Sequence, residues 1–126
     1  MKPYHIMLVD DDISYLEFLQ EALSHLEPEC NIVTSTSGNH AVSVLETLKF
    51  DLIICDLKMP DGDGYAVLDY VQNKMDTPYF VLMTGYVDLI ESEVMAKGAK
   101  MVLFKPVKID VLTELIANKL HLHKKD

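Results

Sequence analysis

Two stretches, Asp51-Leu-Ile-Ile-Cys55 and Tyr79-Phe-Val-Leu-Met83, decide the fold. Neither alternates polar with apolar residues, so neither reads as a strand with one wet face. Short apolar runs of this kind suit parallel strands covered by helices on both sides. Working outward, three further runs fall at His5 to Val9, Asn31 to Ser35 and Lys100 to Phe104. Between the runs lie segments of helical period. Ile13, Leu16, Leu19, Leu23 and Leu26 mark one face, Ala41, Val44, Leu45 and Leu48 a second, and Tyr65, Leu68 and Val71 a third. A short fourth helix is predicted from about Leu89 to Lys97 and a fifth from Ile109 to His121. Five strand–helix pairs with right-handed crossovers predict a doubly wound, flavodoxin-like α/β sheet of strand order 2-1-3-4-5.

A chain of 126 residues suits one domain with its own core, and no repeat, Gly/Ser tract or Pro-rich linker divides it. The expectation is a single domain over residues 1–126, with no room for an output domain after the fifth helix. A composition 49% hydrophobic and 25% charged excludes disorder as the default. The net charge of −9 argues against direct contact with nucleic acid or anionic membranes. Cys30 and Cys55 have neither zinc nor redox spacing, and both are expected to be reduced thiols. Four apolar residues, Ile6 to Val9, are too few for a signal peptide or a span, so the expected location is cytoplasmic. The ending Lys-Leu-His-Leu-His-Lys-Lys-Asp reads as a fraying helix end. On such a helix His121 and His123 would diverge, which argues against a metal pair.

In an open α/β sheet, ligands bind beyond the carboxyl ends of the strands where strand order reverses. The residues there are Asp10, Asp11 and Asp12 after the first strand, Asp56 after the third, Thr84 and Gly85 at the fourth, and Lys105 and Pro106 after the fifth. Converging carboxylates repel one another unless a cation intervenes. Oxygen ligands in small number suit Mg²⁺.

The segments Leu-Val-Asp-Asp-Asp, Ile-Ile-Cys-Asp-Leu-Lys-Met-Pro-Asp-Gly-Asp-Gly, Met-Thr-Gly and Phe-Lys-Pro-Val, in this order, resemble the receiver domains of two-component response regulators. The resemblance runs from His5 to the last helix. It implies that Asp56 accepts a phosphoryl group, that Asp11, Asp56 and the Lys58 carbonyl hold Mg²⁺ with Asp10 contributing through a bound water or directly, and that Thr84 and Lys105 contact phosphoryl oxygens. It implies a sensor histidine kinase or histidine phosphotransfer protein, or a small acyl phosphate, as donor, and a cis Lys105–Pro106 bond. Output would pass to a protein partner through the fourth helix, fifth strand and fifth helix. The domain would catalyse its own phosphoryl acceptance and hydrolysis without turning over a separate substrate.

Plainer duties are expected for neighbouring residues. Asp12 is a helix cap, with Ser14 and Glu17 at competing capping-box spacing. Asp61 and Asp63 are turn and cap residues, and Gly62 and Gly64 supply backbone freedom. Cys55 points away from the acceptor into the core. Many receivers carry an aromatic residue where this chain has Val102, so coupling here must use backbone shifts or another side chain. Tyr86 is a candidate for that role, and for shielding the phosphoryl group from water. Two rival readings stand beside the leading one. A phosphorylation-independent receiver-like interaction module would follow from the missing aromatic, but every site group is retained. A Mg²⁺-dependent phosphatase or phosphotransferase would want a second general acid and a substrate cap, and neither has a candidate. No dinucleotide, Walker or nucleophile-elbow motif is present.

Overall fold

Because strand residues alternate between faces, an apolar run buried on both sides divides its side chains between two cores. The computed structural model, which describes residues 3–74, 76–85 and 88–125, shows this division clearly. In chain order the elements are β1 (Tyr4–Val9), α1 (Ile13–Leu23), β2 (Leu26–Glu27), β3 (Cys30–Ser35), α2 (Gly38–Leu45), β4 (Leu52–Asp56), α3 (Gly64–Gln72), β5 (Tyr79–Thr84), α4 (Glu91–Ala96), β6 (Met101–Phe104), α5 (Ile109–Leu120) and β7 (His123–Lys124). One parallel sheet has the order β3-β1-β4-β5-β6. Counting its five strands alone, this is the predicted 2-1-3-4-5.

Met7, Val9, Ile53, Cys55, Phe80 and Leu82 face one core, closed by Ala41 of α2, Val67, Leu68 and Val71 of α3, and Val94 of α4. Ile6, Leu8, Leu52, Ile54, Val81 and Met83 face the other, closed by Leu16, Leu19 and Leu23 of α1 and Leu112, Ile116 and Leu120 of α5. Every residue of β4 is buried. Cys55 and Cys30 are free thiols, the first buried and the second half-buried, and burial pushes both up in pKa.

Several details depart from the sequence reading. Ile13 is exposed rather than inward, and Leu48 lies exposed beyond the end of α2. Leu26 packs in the predicted core but from β2, because α1 stops at Leu23 with Ser24 as its C-cap. The chain end is not a fraying helix. His121 adopts the left-handed conformation (φ 56°, ψ 44°), and Leu122 donates its N–H to Ala117 O at 2.8 Å. Leu122 is thereby turned into the α1/α5 core, and His123–Lys124 pair antiparallel with Leu26–Glu27. His121 and His123 are therefore not on a common helix. Among the described residues no helix is long and apolar enough to cross a membrane.

Candidate functional site

The order reversal in the sheet lies at β1, which runs between β3 and β4. Val9 is in register with Cys55, so the next residues, Asp10 and Asp56, leave adjacent strands side by side. Asp10 is held in place by its own N–H, which extends the ladder to Ser35 O at 3.0 Å. One of its carboxylate oxygens accepts from the Asp12 N–H at 3.0 Å. Asp12 in turn caps α1, accepting from the Tyr15 N–H at 3.1 Å, so the capping-box alternative through Ser14 is not used.

Thr84 ends β5, buried, and Lys105 follows β6 with its N–H donated to Thr84 O at 2.8 Å. The Lys105–Pro106 bond is cis, as the resemblance implied. From there the Lys105 ammonium reaches back across the strand ends, donating to Asp10 Oδ2 at 2.9 Å and to Asp56 Oδ2 at 3.1 Å. Carboxylate oxygens of Asp10, Asp11 and Asp56 all lie within 4.8 Å of one another, with Asp10 and Asp56 buried and Asp11 exposed.

Burial raises the pKa of Asp56; the Lys105 charge works against this, and Asp10 and Asp11 add to it. For Lys105, burial acts to lower the pKa, but the hydrogen bonds and charges of Asp10 and Asp56 outweigh it and raise the ammonium. Three carboxylates against one bridging ammonium leave a formal charge of −3 + 1 = −2. Hard oxygen donors with that deficit fit a divalent cation of the Mg²⁺ type.

The loop after Asp56 is shaped by close approach. A Cβ on Gly64 would stand 2.5 Å from the Asp56 carbonyl oxygen, so this glycine serves proximity rather than backbone freedom. Gly62 does need its freedom (φ 96°), and Asp61 shares the left-handed region (φ 59°). Asp63 caps α3 through the Ala66 N–H at 3.0 Å. The loop is fastened to the start of α2 by Gly38 N–H to Gly62 O at 2.9 Å and Asn39 N–H to Asp61 O at 3.0 Å. Lys58 is an exposed residue of this loop, two positions past Asp56. Val102 is buried against the α2–α4 side of the sheet. Tyr86 lies outside the described residues.

Sequence reasoning missed Tyr15. Its hydroxyl donates to Val107 O at 3.1 Å, and its ring centroid lies 5.8 Å from Lys105 Nζ. Burial raises its pKa, which keeps the phenol a donor. An aromatic residue one turn into the helix that follows the strand-end acids was the available signal.

A buried aspartate at the reversal point of a doubly wound sheet, flanked by two further acids and bridged by a lysine, defines an α/β protein with a strand-end acidic site able to hold a cation. The chain belongs to the response regulator receiver domains, whose family pattern it matches over residues 6–117. It is 36% identical over 115 residues to the two-component response regulator ARR12 of Arabidopsis thaliana, covering 87% of this chain and 18% of that protein. It is 32% identical over 123 residues to the transcriptional regulatory protein ZraR of Escherichia coli K12, covering 96% of this chain and 27% of that one. The chain thus spans about a quarter or less of the length of these relatives. Among solved structures, the signal receiver domain of a putative Luxo repressor protein from Vibrio parahaemolyticus superposes with a TM-score of 0.83 at 30% identity, covering 95% of this chain and 92% of that one. A CheY-like receiver domain protein from Methanospirillum hungatei has a TM-score of 0.83 at 26% identity, with 95% of each chain covered.

Proposed function

We propose that this receiver domain accepts a phosphoryl group on Asp56 from a phosphohistidine of a sensor kinase or phosphotransfer protein. The observation that carries the reading is the Lys105 ammonium bridging Asp10 and Asp56 while the Asp11 carboxylate stands within reach of both. An Asp56 oxygen attacks phosphorus, the P–N bond breaks, and the electron pair leaves on the imidazole nitrogen, which takes up a proton from solvent. The protein's part is to place the nucleophile in line and to neutralise charge on the transferring group. Lys105 is already 3.1 Å from the acceptor carboxylate and turns its ammonium onto a phosphoryl oxygen. Thr84, at the end of the adjacent strand, offers its hydroxyl to a second. Asp10, Asp11, Asp56 and the Lys58 carbonyl would hold Mg²⁺, which supplies positive charge to the phosphoryl oxygens when bound. Attack of water on the aspartyl phosphate later releases inorganic phosphate and resets the switch.

Output through a protein partner at α4, β6 and α5 is supported by four exposed apolar side chains there, Ile90, Met95, Phe104 and Val111. The intact assembly of Asp10, Asp56, Thr84 and Lys105 weighs against a phosphorylation-independent module.

The test is intact mass after incubation with acetyl phosphate or phosphoramidate, with Mg²⁺ and with EDTA. One phosphoryl group gained only with Mg²⁺, and not by Asp56→Asn, is expected. Equal phosphorylation of the variant would refute the assignment.

A further inference from the structure

We propose that Tyr15 is a positioning residue for phosphoryl transfer, holding Lys105 over the acceptor by tying the loop after β6 to α1. The inference rests on the reading of Asp56 as acceptor and extends it to a residue outside the strand ends.

A lysine ammonium sits on a flexible four-carbon stem, so its place in a site depends on what fixes its backbone and what flanks its head. Here a closed circuit of contacts does so. Asp10 accepts from the Asp12 N–H at 3.0 Å, and Asp12 accepts from the Tyr15 N–H at 3.1 Å. The Tyr15 hydroxyl then crosses to Val107 O at 3.1 Å, two residues past Lys105, and Lys105 returns to Asp10 at 2.9 Å. The circuit begins and ends on the same buried aspartate, and Tyr15 links α1 to the β6–α5 loop within it.

Two further contacts give the ring a direct part. Its centroid is 5.8 Å from Lys105 Nζ, within cation–π range. Its hydroxyl is also 3.8 Å from Met83 Sδ, in the residue before Thr84. Tyr15 therefore touches the segments that carry both phosphoryl-facing groups. When Lys105 turns from the carboxylates toward a phosphoryl oxygen, the restraint on Val107 keeps the main chain from following. Electrostatic help in a transfer step depends on such prior placement, because a donor that must first be ordered contributes less.

A side chain that only filled space between α1 and the loop would show the same burial but no dependence on Lys105. The experiment measures single-turnover phosphorylation of the full chain by phosphoramidate at saturating Mg²⁺. Wild type, Tyr15→Phe, Tyr15→Leu, Lys105→Ala and the Tyr15→Phe/Lys105→Ala double variant are compared, with Mg²⁺ affinity measured separately. Tyr15→Phe is expected to slow transfer about fivefold, the equivalent of one neutral hydrogen bond. Tyr15→Leu, which also loses the ring, should slow it further. Mg²⁺ affinity should stay within about twofold, and Tyr15→Phe should have no effect once Lys105 is alanine. An equal fivefold loss in both backgrounds would overturn the inference, as would unchanged rates in both single Tyr15 variants. If the wild type itself gained no phosphoryl group, the acceptor reading would fall and this inference with it.

Discussion

Replacing Lys105 with methionine removes the ammonium and keeps most of the stem. In the native site that ammonium stands 2.9 and 3.1 Å from Asp10 and Asp56, whose side chains are only 1% and 9% exposed, while its own is 30% exposed. Breaking a buried ion pair by deleting one partner costs roughly 3–5 kcal/mol, because a charge is left uncompensated. Two features reduce this. Lys105 is partly wet, and burial already works against the charged form of Asp56 with Lys105 in place, which offsets part of the pair's attraction. A net loss of about 2–3 kcal/mol at neutral pH in EDTA is therefore expected, or about 8–12 °C in Tm at this chain length. The Lys105 pKa is raised in the fold, so its stabilisation is fully present below the unfolded value of 10.5 and lost as pH climbs through the folded value. The gap between wild type and variant should close in that alkaline window. It should close at neutral pH too when Mg²⁺ saturates the site, since a dication replaces the missing charge. Thermal melts read all three conditions. An identical deficit with and without Mg²⁺, or none in EDTA, would refute the electrostatic account.

Three further outcomes follow from the same geometry. Asp56→Asn should melt higher than wild type in EDTA at pH 7, because a carboxyl with raised pKa stabilises the fold below its unfolded value of 3.8 and loses that contribution as pH rises; melts between pH 4 and 7 should show the advantage shrinking on the acid side. Gly64→Ala drives a methyl to 2.5 Å from the Asp56 carbonyl and should cost about 1–3 kcal/mol by urea titration while weakening Mg²⁺ affinity, whereas equal affinity would mean the loop absorbs the shift elsewhere. Leu122→Ala should cost roughly 2 kcal/mol and speed amide exchange at Leu122 and Lys125, whose N–H groups bond Ala117 and His25; unchanged exchange would contradict the role of Leu122 in anchoring the β2–β7 pairing.

What could be read from the chain follows its physics. β4 and β5 announce themselves because burial on both faces forbids polar residues over 52–55 and 80–83. Asp10, Asp56, Thr84 and Lys105 were legible because a parallel sheet gathers its strand ends on one edge, which turns four distant positions into neighbours. The β2–β7 ribbon was not, since a two-residue pairing has no period and depends on Leu122 being drawn into a core formed by α1 and α5. Leu26 kept its place in that core although the helix stops before it, so the apolar spacing named its partners correctly and its backbone wrongly. Gly64 showed its presence but not its reason, because close approach to Asp56 exists only in three dimensions. Tyr15 was hidden for the same cause: its hydrogen-bond partner is 92 residues away.

Chemical trapping shows whether Asp56 itself carries the phosphoryl group. Borohydride reduces an aspartyl phosphate to homoserine, and cleavage after Lys49 and Lys58 releases a peptide of residues 50–58 that holds both Asp51 and Asp56. After phosphorylation with Mg²⁺, fragmentation of that peptide should place homoserine at position 56 and leave Asp51 unchanged. Homoserine at position 10, 11 or 51, or phosphate retained on a hydroxyl residue, would contradict the account.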